Sequence, residues 1–164
     1  MGQASHEQVN LMLKLYELRT EPRLRQARAW FAENFVVSSP EELMKKYPPG
    51  TEGNTNIRMT TSYWDMVASI VNRGLIDDDL FFENTGEIWL VWDRIRGVAP
   101  AWRAAFKNPH VFANLEALCQ RLEAWREKRA PGSTAAMRQM LEQMMKAAAA
   151  KVGVEVTLRT VGGE

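Results

Sequence analysis

The stretch NIRMTTSYWDMVASIVNRGLID, Asn56 to Asp77, decides the fold. Ile57, Thr61, Trp64, Val67 and Val71 recur at helical spacing along one face, and Tyr63, Met66 and Ile70 line the face beside it. Gly74 follows Arg73, the residue type that most readily takes the left-handed conformation closing a helix. An apolar arc this wide needs neighbours on more than one side. The spacing therefore predicts a central helix over 56–73.

Upstream, Val9, Met12, Leu13 and Tyr16 form one stripe and Leu11, Leu15 and Leu18 a second. A helix over 5–18 is predicted, buried by more than one neighbour. Pro22 opens the next helix, with Leu24, Ala27, Phe31 and Phe35 inward, Trp30 at the margin, and Arg19, Arg23, Arg25 and Arg28 outside. Ser39-Pro40-Glu41-Glu42 reads as a cap, a preset first turn and a capping box, and Tyr47-Pro48-Pro49-Gly50 stops that helix. Residues 47–56 are predicted to be a loop, either a lid or a crossover.

Downstream, Asp77 is placed to cap a short helix that ends near Phe82. The run Ile88-Trp89-Leu90-Val91-Trp92 is ambiguous by itself, but Ile88, Val91, Trp92 and Ile95 share one helical face, which favours a helix. Ala99 to Lys107 adds a further turn or two. Asn108-Pro109 starts a long helix with Val111, Phe112, Leu115, Leu118, Leu122 and Trp125 in one stripe. After Ala130-Pro131-Gly132, Ser133 caps a last helix with Met137, Met140, Leu141, Met144 and Ala148 inward. Val154, Val156 and Leu158 then alternate with polar residues, a strand pattern. The expected fold is all-α: an irregular helical bundle of about six helices with a short extended C-terminal tail. Residues 1–132 form the helical core domain, and 133–164 a helix and tail in the same domain or a dimerisation arm.

The chain has 164 residues, 46% hydrophobic and 25% charged, the averages of soluble globular domains. Lys and Arg number 21 against 20 Asp and Glu, for a net charge of +1, and both signs are spread along the sequence. No segment has the field to attract nucleic acid or an anionic membrane by charge. Cys119 is the single cysteine, so no internal disulfide forms, and the N-terminus is polar. A cytoplasmic protein is expected. No apolar run approaches the roughly 20 residues of a membrane span.

Gly74-Leu75-Ile76-Asp77 closing an aromatic-rich helix, then Trp89 and Trp92, Trp102-Arg103, and His110 with Phe112, Leu115, Glu116 and Leu118, resembles a family of small bacterial all-helical proteins of unknown function. Many of its members carry an N-terminal membrane anchor. The likeness spans roughly Asn56 to Trp125; it implies an all-helical fold and no chemistry.

Candidate sites are few. Asp77, Asp78 and Asp79 are carboxylates that a hard cation would accept, but consecutive residues diverge, and a helix cap explains them as well. His6 and His110 are the two histidines, without metal-ligand spacing, and a half-exposed structural role suits His110. Cys119 lies mid-helix among leucines and reads as core. No nucleophile elbow or glycine-rich phosphate loop is present. No metal and no cofactor are expected. Six tryptophans more often fill a core than line a cavity. If they do line one, Trp64, Trp89 and Trp92 with Arg94 and Arg103 are the ligand-binding candidates. Met137, Met140, Met144, Met145, Val154, Val156 and Leu158 are the candidate surface of a homodimer. The first functional reading is a non-enzymatic helical interaction or scaffolding module with an unknown protein partner. The second is a small-molecule-binding protein or hydrolase with a Trp-lined pocket.

Overall fold

The computed structural model describes residues 4–37 and 39–146, and among them every regular element is a helix. In chain order these are α1 His6–Arg19, α2 Pro22–Asn34, α3 Pro40–Lys46, α4 Glu52–Asn72, α5 Asp78–Asn84, α6 Glu87–Ile95, α7 Ala99–Ala105, α8 Ala113–Arg129 and α9, residues 133–146. The all-α expectation holds, but nine helices replace about six among the described residues. The difference is the three seven-residue helices α3, α5 and α7, which stand as separate elements. The expected tail with Val154, Val156 and Leu158 lies outside the described residues, as does Ala148.

The chain divides into two units, Met1–Leu122 and Glu123–Glu164. In the first, α4 is the central helix, packed along α2 and against α6. It buries Ile57, Tyr63, Trp64, Val67, Ala68 and Val71. Gly74 takes φ +73°, with its N–H on the Val71 carbonyl and the Leu75 N–H on that of Ile70, the double bond of a Schellman stop. Its start departs from the sequence reading: α4 begins at Glu52, not near 56, capped by Thr51 Oγ1 accepting from the Asn54 N–H at 3.3 Å. Gly53 looks like a breaker, yet it serves a close approach. A Cβ there would sit 2.8 Å from Tyr47 Cδ1 and 3.1 Å from the Trp30 ring. The loop of 47–56 thus shrinks to its first few residues.

Ile88, Val91, Trp92 and Ile95 of α6 are all buried, as their helical face requires, and Trp89 joins them. Ser39 caps α3 by accepting from the Glu42 N–H at 3.2 Å, while the Glu42 carboxylate pairs with Lys46 at 2.5 Å. One further boundary shifts, and one helix is buried differently than expected. Helix α8 begins at Ala113, five residues after Asn108, whose side chain instead accepts from the His110 N–H in a turn. Helix α1 is less buried than its two stripes suggest: Leu15 is its buried residue, and Leu13, Tyr16 and Leu18 are exposed.

In the second unit, the start of α9 is held by Glu127 rather than by Ser133. The Glu127 carboxylate accepts from the Gly132 N–H at 2.7 Å and the Thr134 N–H at 3.0 Å, and these bonds hold its pKa below the ordinary value. Arg138 pairs with Glu123 at 2.5 Å. Met140 and Met144, expected inward, are exposed.

Candidate functional site

Residues of α1, α4 and α5 line a pocket of about 240 Å³. Its walls are Met12, Leu13, Leu15 and Tyr16 from α1, Tyr63, Trp64 and Val67 from α4, and Phe81 from α5. Arg19, Asn84 and Thr85 are the polar residues of the lining. The walls follow from local rules. Trp64 and Val67 are neighbours at i, i+3 on the apolar arc of α4, and Tyr63 is fixed by donating its hydroxyl to the Leu15 carbonyl at 2.6 Å. Burial pushes the Tyr63 pKa up to about 12, so this phenol stays a donor.

A cluster of charges adjoins the pocket. Glu87, in the first turn of α6, receives Arg28 through two parallel bonds: Nε donates to Oε1 at 2.6 Å, and the second guanidinium nitrogen donates to Oε2. The Trp64 indole N–H donates to the same Oε1 at 3.2 Å. Arg28 also donates to the Arg19 carbonyl at 2.8 Å, tying α2 to the end of α1. Arg19 stands apart from this arrangement. Its guanidinium is 3.8 Å from Glu87, beyond hydrogen-bond range, and lies 4.6 Å from the Tyr16 ring centre and 6.0 Å from that of Trp64. Its Nε is buried and has no hydrogen-bond partner. Two arginines against one carboxylate leave the cluster with one positive charge over.

The sequence reading put Arg19 and Arg28 on the outside. The structure corrects this: their side chains are 21% and 15% exposed. The partner that draws them in, Glu87, is 59 residues from Arg28, and no periodicity in α1 or α2 reports it.

The other side of α4 carries a polar seam. Asp65 accepts from the Leu115 N–H at 3.0 Å, so α4 caps the start of α8. Burial raises the Asp65 pKa, against the lowering effect of the Leu115 and Asn114 bonds and of Arg103. Asn72 donates to the Asn114 carbonyl at 3.0 Å and accepts from Arg121 at 2.9 Å. Arg121 in turn grips Asp78 at 2.6 Å. Phe112, just before α8, holds φ +56°, and its ring meets Trp102 edge-on at 5.2 Å.

Of the candidate ligand residues, Trp64 lines the pocket. Trp89 and Trp92 are buried in α6. Arg94 donates to the Phe31 and Ala32 carbonyls at 2.9 and 2.7 Å, closing the end of α2. Arg103 donates to the Val111 carbonyl at 2.9 Å and pairs with Glu116 at 2.6 Å. Of the five, Trp64 lines this pocket and the other four do not. Asp77 caps α5 through the Leu80 N–H at 3.0 Å, and Asp78 faces Arg121, so the acidic triplet diverges. Cys119 is buried, His6 and His110 are exposed. Met137 and Met145 are half-buried; Met140 and Met144 are 53% and 61% exposed. No helix among the described residues is long and apolar enough to cross a membrane.

No curated protein and no solved structure matches the chain. A family model does match, over residues 4–122, and it ends where the first unit ends. The chain therefore belongs to the family described as a domain of unknown function, DUF4760.

Proposed function

We propose that the protein is a helical binding module whose ligand is a small, largely apolar molecule held between α1, α4 and α5. The observation that carries this reading is the pocket of about 240 Å³, with eight apolar or aromatic walls and a half-buried charge cluster at one side. Concave apolar sites with a few convergent polar groups are where small ligands bind. The reading keeps Trp64 as a ligand contact and gives Trp89, Trp92, Arg94 and Arg103 structural roles. Amide and indole NMR spectra recorded with a panel of apolar fragments test it. Shifts centred on the Trp64 indole N–H, Val67 and Thr85 support it; a panel that leaves those signals unmoved contradicts it.

A second reading is a protein-interaction module that forms a homodimer through residues 133–160. It is favoured by the exposure of Met140 and Met144 on α9, since unbranched thioether side chains adapt to varied partners. Light scattering on the full chain and on a chain ending at Gly132 tests it. A dimer lost on truncation supports it, and a monomer at high micromolar concentration in both cases contradicts it.

A further inference from the structure

We infer that the pocket is built for an amphipathic monocarboxylate, an apolar body of modest size carrying one carboxylate that pairs with Arg19. This rests on the reading of the pocket as the binding site and adds the chemical class of the ligand.

Glu87 accepts three hydrogen bonds, two from Arg28 and one from the Trp64 indole N–H, and none from Arg19. Arg19, 3.8 Å away, gains only a Coulomb attraction from it. Arg19 is also the one charged residue among those lining the pocket, and no carboxylate is among them. The Nε–H of Arg19 is covered by protein and donates to nothing, so the guanidinium is desolvated in part without compensation there, and a ligand would pair with its terminal nitrogens. Carboxylates match guanidinium donors in geometry and charge better than any neutral group.

The Tyr16 and Trp64 rings flank the guanidinium, which restricts where the Arg19 head can lie. The Tyr63 hydroxyl is occupied by the Leu15 carbonyl, so it does not compete for the ligand. Beyond these rings the walls are Leu13, Val67 and Phe81, with no charge. A volume of about 240 Å³ equals the liquid share of about eight waters, which sets the size of the apolar body.

Titration calorimetry with sodium octanoate and with 1-octanol, on the full chain, separates the possibilities. The expected result is octanoate binding at least tenfold tighter than octanol. That preference should be lost in Arg19→Met and in Arg19→Gln, and kept in part in Arg19→Lys. Amide shifts should map octanoate to α1, α4 and α5. Equal affinity for acid and alcohol, or a preference that survives both Arg19→Met and Arg19→Gln, overturns the carboxylate proposal and leaves the pocket reading standing. Octanoate shifts centred outside these helices overturn the proposal as well. Failure of both probes to bind, with the Trp64 indole signal unmoved, overturns the pocket reading and the proposal with it.

Discussion

The two flanks of α4 both hold half-buried charge, and they handle it differently. On the α8 flank each polar group has a structural task. Asp65 caps α8, Asn72 bridges Asn114 and Arg121, and Arg121 pairs with Asp78. On the α1 flank one carboxylate meets two arginines, and the second arginine is left beside aromatic rings at the edge of an apolar pocket. Charges whose partners are all supplied by the fold maintain that fold. On our proposal, the Arg19 charge, desolvated in part and short of hydrogen bonds at the edge of the pocket, is open to a ligand.

The largest change should follow Trp64→Ala. It removes a side chain 2% exposed that walls both the core and the pocket. Denaturant melts should lose about 3–5 kcal/mol, the usual cost of deleting a buried aromatic. A loss under about 1 kcal/mol would place Trp64 among surface residues and erase the distinction between the flanks.

Next is Glu87→Gln. It strips the charge that holds Arg28 and leaves two cations half-buried without a counter-ion. We expect about 2–3 kcal/mol, the range for hydrogen bonds to charged groups. The same melts should show that a second substitution, Arg19→Met, recovers part of that loss, because it lowers the uncompensated charge to one.

On the α8 flank effects should be smaller. Asp65→Ala removes a helix cap and should cost about 1 kcal/mol, while Asp65→Asn, which keeps an acceptor oxygen, should cost less. The pH dependence has a defined sign. Burial raises the Asp65 pKa in the folded chain, so the native state holds its proton to higher pH than the unfolded state does. Wild type should therefore lose stability relative to Asp65→Asn as pH rises through the Asp65 titration. A difference independent of pH between 3 and 7 would mean that burial does not act on this carboxyl.

The smallest change is expected at the seam's outer pair. Arg121 and Asp78 are 40% and 44% exposed, so solvent screens them. Arg121→Met should shift stability by no more than about 1 kcal/mol. A larger loss would show that the α8 flank leans on its charges as heavily as the α1 flank does.

Much of the fold was legible because its signals are local. The arc from Ile57 to Val71, the glycine at 74, the Ser39 cap and the shared face of Ile88, Val91, Trp92 and Ile95 are each written within a few turns of chain. What escaped depends on contacts distant in sequence. The start of α8 is set by Asp65, 50 residues before Leu115. Gly53 looks like a breaker until Tyr47 and Trp30 are seen against it. The site divides in the same way. Trp64 could be picked out as a large apolar residue on a central helix. Arg19 could not, because at the end of α1 it reads as one more solvated cation, and the carboxylate that fixes its meaning lies on α6. The two arginines look alike in the sequence, and the structure gives one a bidentate hydrogen-bonded carboxylate and the other only a 3.8 Å approach to that same carboxylate.

That contrast between Arg28 and Arg19 is the centre of the account, and a pair of denaturant melts tests it most directly. Arg28→Met should cost about 3 kcal/mol, because it breaks a half-buried bidentate pair and strands Glu87. Arg19→Met, an apolar side chain of similar length beside Tyr16 and Trp64, should leave stability within about 0.5 kcal/mol of wild type or raise it. Equal losses in the two variants would make Arg19 as much a structural cation as Arg28, and would contradict the claim that its charge is held in reserve for a ligand.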